Sequence, residues 1–330
     1  MNPLDGYRGR RVLVTGGLGF IGSTLSIALA ELGAHTTIVD ALIPEHGGSP
    51  FNVEPVRDRV SVHEFDMRDQ DALDAAVREQ EFVFHLAGQV SHGDSMRDPH
   101  QDLGVNCVAT MNLLEACRQH NREARLVFTS TRQVYGVAQV LPVTEDHPTI
   151  PIDVNGINKL AAEYYHLLYD RVYGIRSTVL RLTNTYGPRQ QIRNDRQGFI
   201  GILIRKALRG ELIDVYGDGT QRRDFNYVDD VVRAILLAGA VESCRGRVFN
   251  LGAARPYSLL DFVGFLEELC GARHRLVPFP TDAKIIDIGD YYGDYSAFAA
   301  ATGWHPELEL RDGLERTIES YQKHREIYWG

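Results

Sequence analysis

Gly16, Gly19 and Gly22 form a G-x-x-G-x-x-G run in TGGLGFIGSTL, between an apolar β-branched stretch and a helical pattern. Glycines at such a turn let backbone N–H groups close on a pyrophosphate at a helix N-terminus. Asp40 ends the next apolar run, 18 residues after Gly22. A carboxylate there accepts from the adenosine ribose hydroxyls and repels a 2′-phosphate, so the pattern predicts NAD rather than NADP. A second locus is DVNGINKLAAEYYH, residues 153–166, where Lys159 follows Asn155 by four positions. That spacing puts both side chains on one helix face. An amide orients a hydroxyl or a water but cannot act as a base. A third locus is a group of arginines, Arg189, Arg193, Arg196, Arg222 and Arg223, in two loops of an otherwise acidic chain. Planar guanidinium forks suit a diphosphate.

The elements that must position these groups alternate through the first half. Strand-like runs at 11–15, 36–40, 60–65, 81–87, 124–130 and 175–182 are separated by helical patterns near 20–33, 69–79, 101–120 and 157–173. Runs that are apolar on both faces predict a doubly wound parallel sheet, a Rossmann-type α/β fold. Beyond about residue 183 the alternation breaks. Helices near 199–210, 228–240, 258–270 and 312–323 and a strand in RVFNLG are expected there. The predicted division is a dinucleotide-binding domain over 1–183, which also receives part of 224–252, and a smaller interleaved substrate-binding α/β region over 184–330.

A net charge of −9 in 330 residues argues against a nucleic-acid or anionic-membrane partner. No apolar run reaches the roughly 18 residues of a membrane span, and the N-terminus shows no signal-peptide pattern. The four cysteines are scattered and read as reduced thiols of a cytoplasmic protein. The 12 histidines show no metal-ligand spacing, so no metal is expected.

Taken in order, the motifs resemble the extended short-chain dehydrogenase/reductase superfamily. They include the glycine loop with Phe20 and Ile21, FDMRD with Asp66 and Met67, and HLAGQ with Leu86, Ala87, Gly88 and Gln89. FTSTRQVYG with Thr129 and Thr131, NKLAAE with Lys159, TNTYGPRQ with Asn184 and Arg189, and RRDFNYVDD with Arg223 complete the series. The resemblance implies NAD contacts from the glycine loop, Asp40, Asp66, Met67, residues 86–88, Thr129 and Lys159. It implies substrate contacts from Gln89, His92, Asn184, Arg189 and Arg223. Within the superfamily the chain looks like a nucleotide-sugar epimerase or dehydratase. HLAGQVSHGDSMRDPHQDLGVN and GPRQQIRNDRQGFIG resemble the CDP-tyvelose 2-epimerase branch, alongside the UDP-glucose 4-epimerases. The implied reaction is transient oxidation of a nucleotide-diphosphate sugar to a keto-sugar, followed by return of the hydride. The alternatives are a dehydratase or decarboxylase of the same family, or a silent NAD and nucleotide-sugar binding protein. A homodimer through the helices near 101–120 and 157–173 is also implied.

The chain departs from that family at one place. Asn155 stands where the family has a proton-transferring tyrosine, and Thr131 matches the family's active-site Ser/Thr. Either another group moves the proton, or the redox step is slow or partial, or the asparagine was introduced to trap a complex. Asp153, Asp94, His92, Tyr165 and Tyr186 are the candidate bases, with Thr131 as a relay. Tyr135 and His85 are expected to pack, and Tyr164 and Tyr165 to face the core or an interface.

Overall fold

The computed structural model describes residues 3–194, 198–280, 284 and 287–329. Its first half runs β1 (Arg11–Thr15), α1 (Phe20–Glu31), β2 (His35–Asp40), β3 (Val60–Glu64), α2 (Gln70–Val77), β4 (Phe82–His85), α3 (His92–Arg97), α4 (Pro99–Leu103), α5 (Ala109–His120), β5 (Arg125–Thr131), α6 (Val154–Tyr173) and β6 (Ser177–Leu182). The second half runs β7 (Asn184–Tyr186), α7 (Phe199–Leu208), β8 (Leu212–Tyr216), β9 (Arg222–Arg223), β10 (Phe225–Tyr227), α8 (Val228–Ala240), β11 (Val248–Asn250), β12 (Tyr257–Ser258), α9 (Leu259–Cys270), β13 (Arg273–Val277), α10 (Ser296–Thr302), α11 (Leu310–Lys323) and α12 (Arg325–Tyr328).

Seven strands form one parallel sheet in the order β3-β2-β1-β4-β5-β6-β11. Successive residues of β1 serve opposite faces. Val12 and Val14 join a core with Tyr7, Leu25, Leu29, Ile235 and Phe249. Leu13 joins Leu113, Leu114, Val83 and Leu126 on the other side. Both faces are therefore covered, and β6 is buried along its whole length. Parallel strands with helices on each side need apolar residues on both faces, which explains the unalternated runs.

The helices near the site differ from their expected bounds. The pattern near 101–120 is broken into α4, a π turn at Gly104–Val108, and α5. Pro99 starts α4 behind an Asp98 cap, and the widened turn tucks Asp102 and Asn106 inward. Helix α6 begins at Val154 rather than near 157, because the Asp153 side chain caps it by accepting from Gly156 N at 2.6 Å. His92 opens α3 behind a Ser91 cap.

Helix α6 is fastened to the sheet by a buried ion pair. Arg181 donates through Nε and Nη2 to the two oxygens of Glu163, at 3.0 and 2.6 Å, and Ser130 Oγ donates to the same carboxylate. Arg181 Nη1 also donates to Tyr135 Oη (2.6 Å), which in turn donates to Asn250 Oδ1 (2.7 Å). Tyr135 is thus a fully buried packing residue. Glu163→Ala strands the Arg181 cation, and its expected cost is about 3–5 kcal/mol of unfolding free energy. Urea denaturation of the variant reads that loss directly.

Candidate functional site

A cleft of about 550 Å³ runs along the C-terminal ends of the parallel strands. At one end the glycine loop leaves β1 and enters α1. Gly16 has φ +69°, and a Cβ there would lie 2.8 Å from Ala87 N. A Cβ on Gly22 would lie 2.1 Å from Gly16 O, so backbone meets backbone with no room for a side chain. Asp40, at the end of β2, accepts from Leu18 N (3.0 Å) on one oxygen and from Leu42 N (2.9 Å) on the other. These bonds aim the carboxylate while leaving each oxygen further acceptor capacity. Burial raises its pKa against the pull of the two N–H donors.

At the other end Lys159 is buried on the inward face of α6. Its Nζ donates to Thr129 O (3.2 Å) and sits 4.8 Å from the centre of the Phe128 ring. Gly88 makes room for it: a Cβ there would lie 2.9 Å from Nζ and 2.8 Å from Asn106 Oδ1. Burial lowers the lysine pKa to about 8, against the attraction of Asp102 and Glu163.

Asn155 is anchored by its amide nitrogen. Nδ2 donates to Gln89 O (2.7 Å) and to Asp102 Oδ2 (3.1 Å), while Asn158 Nδ2 donates to Asp102 Oδ1 (2.8 Å). Asn155 and Asn158, three apart on α6, clamp one buried carboxylate from α4. Both N–H directions of Asn155 are used, which leaves Oδ1 as its free acceptor. Thr131 ends β5, and its Oγ1 accepts from Gln133 N (3.2 Å), so its own proton is available to donate.

The cleft wall includes Gly16, Gly19, Phe20, Ile21, Gly22, Asp40, Asp66, Met67, Leu86, Ala87, Gly88, Thr129 and Lys159. Thr131, Asn155, Gln89, His92 and Asn184 also line it. The arginines do not gather there as expected. Arg189, at φ +71°, turns back to α1 and donates through Nε and Nη2 to Thr24 Oγ1 (3.2 and 3.1 Å). Arg193 donates to Ile327 O, and Arg196 lies outside the described residues. Arg223 is buried behind the cleft, paired with Asp287 at 3.3 Å. Burial and the neighbouring Arg132 lower its pKa to about 10.

Arg132 is the cationic wall residue that the sequence reading passed over, although it directly follows Thr131. Its Nη2 donates to Asn184 Oδ1 (3.0 Å), and Asn184 Nδ2 donates to Asp224 O (3.0 Å). Among the candidate bases, Tyr186 is buried with its hydroxyl donating to Leu310 O (3.2 Å), and Tyr165 sits beside Cys107. Neither lines the cleft. Asp94 is paired with Arg97 at 2.9 Å. His85 is satisfied inside the sheet, with Nδ1 2.9 Å from Thr15 Oγ1 and Nε2 3.0 Å from Thr110 Oγ1. Among the described residues no group of three or more His, Cys, Asp or Glu is arranged to hold a metal, and no helix is long and apolar enough to cross a membrane.

Fold and cleft together define a dinucleotide-dependent enzyme class in which cofactor and substrate share one groove at the strand ends. Residues 12–252 match the NAD dependent epimerase/dehydratase family, and the chain belongs to that family. A UDP-glucose 4-epimerase of Mycolicibacterium smegmatis is 30% identical over 94% of this chain and 98% of its own length. A dTDP-glucose 4,6-dehydratase of an Actinoplanes species is 31% identical over 96% of this chain and 98% of its own. The crystal structure of a Thermotoga maritima UDP-glucose 4-epimerase with UDP-glucose superposes with a TM-score of 0.87, at 33% identity over 96% of this chain and 99% of that one. The cofactor is NAD, and the glycine loop with its oriented Asp40 carboxylate fits it.

Proposed function

We propose that this chain epimerises a nucleotide-diphosphate sugar by transient oxidation, with an acid/base arrangement that does without the family's tyrosine. The observation that carries this reading is the single cleft joining the glycine loop and Asp40 to Lys159, Thr131, Asn155, His92 and Asn184. NAD bound there supplies a hydride acceptor that can return the hydride within the same complex. Asp40 holds the adenosine ribose, and Lys159 meets the nicotinamide ribose as a buried cation. Asn155 Oδ1 and the Thr131 hydroxyl orient the sugar hydroxyl, and Arg132 with Asn184 borders the sugar.

Epimerisation is favoured over dehydration by what stands beside Thr131. Eliminating water needs a base for the carbon-bound proton and an acid for the leaving hydroxyl. Arg132 and Gln133 occupy the positions after Thr131 and supply neither. Among the described wall residues the carboxylates are Asp40 and Asp66, both at the adenosine end. The reading includes a homodimer, supported by exposed apolar side chains Val108, Met111, Ile157, Tyr164, Leu168 and Val172 along α5, its preceding turn and α6.

The test is incubation of NAD-loaded protein with UDP-glucose, UDP-N-acetylglucosamine, UDP-glucuronic acid, dTDP-glucose and CDP-paratose, followed by proton NMR and mass analysis. One sugar should yield an epimer of unchanged mass. Loss of water or carbon dioxide would assign a dehydratase or decarboxylase instead. Binding without turnover across the panel would leave a silent binding protein.

A further inference from the structure

The missing tyrosine leaves a proton without a destination, and one pair of side chains beside Asn155 is built to receive it. Asp153 is 2 % exposed and divides its oxygens between two tasks. Oδ1 caps α6 through Gly156 N, and Oδ2 lies 2.9 Å from His92 Nδ1. The two atoms are close and neither has another hydrogen-bond partner, so each is the other's nearest polar neighbour there. Burial opposes the Asp153 charge, yet the His92 contact, the Gly156 N–H and Arg132 together hold its pKa below the ordinary carboxylate value. On the far side of the ring, Gln133 Nε2 is 3.1 Å from His92 Nε2. A carboxylate at Nδ1 and an amide N–H at Nε2 both favour the tautomer with its proton on Nδ1. His92 and Gln133 line the cleft, as does Asn155. Among the described residues the charged groups around the imidazole include Asp153 from the cap of α6, Arg132 from the turn after β5 and, on its own helix, Asp94 paired with Arg97.

We propose that His92 Nε2 is the acid/base of the reaction and that Asp153 positions it. The inference rests on the epimerase reading. A sugar hydroxyl that reaches the ring would displace the Gln133 amide, and Nε2 would take the hydroxyl proton as the carbonyl forms, with bound NAD supplying the hydride acceptor. The imidazolium that results lies between Asp153 and the new carbonyl oxygen. On hydride return the same proton goes back to the alkoxide, so protons and electrons balance over the cycle. The arrangement has the logic of a histidine oriented by a buried aspartate, assembled here from α3 and the cap of α6.

The test compares wild type with His92→Gln and Asp153→Asn on the panel sugar that the wild type interconverts. Asparagine also caps helices, so Asp153→Asn keeps the first turn of α6. His92→Gln should lower kcat by roughly 10²–10⁴-fold, with NAD affinity by calorimetry unchanged. Asp153→Asn should lower kcat by as much as about 10⁴-fold with little change in KM, in line with an orienting aspartate. ¹⁵N NMR of histidine-labelled protein should find His92 protonated at Nδ1 in wild type, with that preference lost in Asp153→Asn. A merely structural pair would not move that signal. A kcat for His92→Gln within about threefold of an active wild type, or a wild-type His92 protonated at Nε2, overturns the inference. A wild type that turns over no sugar overturns the epimerase reading and this role with it, whereas an active wild type indifferent to His92→Gln overturns this role alone.

Discussion

Gly22→Ala sharply weakens NAD binding. The added Cβ would lie 2.1 Å from Gly16 O, 2.8 Å from Gly16 C and 2.9 Å from Gly17 Cα, all backbone atoms of the same turn. No rotamer relieves that contact, so the loop itself must open and its N–H groups swing off the pyrophosphate position. Overpacking costs about 1–3 kcal/mol, and a clash of backbone on backbone belongs at the upper end, which corresponds to a loss of ~10²-fold in affinity. Isothermal titration with NAD reads it. Gly264→Ala is the matched control. It lies inside α9 with nothing within 4 Å of the added methyl, and it should stabilise the chain by about 0.5–1 kcal/mol with NAD binding intact.

Lys159→Met is the second large effect, and it separates catalysis from folding. On the proposed reading this buried ammonium meets the nicotinamide ribose and its field favours the developing charge, so its removal should lower kcat by roughly 10²–10³-fold. Burial sets the lysine pKa near 8, below its ordinary 10.5. The cation therefore predominates below pH 8, and the activity it supports falls as pH rises through that value. The basic limb should vanish in the variant. Stability moves the other way. Between pH 8 and 10.5 the unfolded chain holds a proton that the folded chain has released, so stability rises with pH across that window. Below it the buried charge is a cost, and Lys159→Met should melt no lower than wild type at pH 7. Differential scanning fluorimetry and initial rates across pH check both halves.

The parts of the site that local spacing determines were legible in the sequence. The glycine turn, Asp40 at the end of β2 and Lys159 on α6 each depend on a strand end or helix face that neighbouring residues define. Their places on the cleft wall follow from the sheet order alone. The arginines show the limit of that reasoning. Arg189 lies in its expected loop and Arg223 in the short strand β9, yet a guanidinium on a long stem goes where partners are. Thr24 and Asp287 take these two, while Arg132, at a strand end, faces the cleft. The clamp on Asn155 was invisible for another reason. Asp102 is 53 residues away in sequence and becomes its partner only because the helix expected at 101–120 breaks into α4 and a π turn. His92 and Asp153 were individually named, but their contact needed a short helix, α3, that a six-residue polar stretch does not announce.

The central claim is that a chain with asparagine in place of the tyrosine still moves a hydride off a sugar carbon and back. It is tested most directly by running the reaction of the productive nucleotide sugar to equilibrium in deuterium oxide and locating deuterium in both epimers by NMR. Hydride return from bound NAD predicts inversion at one carbon with no solvent deuterium on that carbon. Deuterium at the inverted carbon would mean that it exchanged a proton with solvent, and would contradict transient oxidation at that centre.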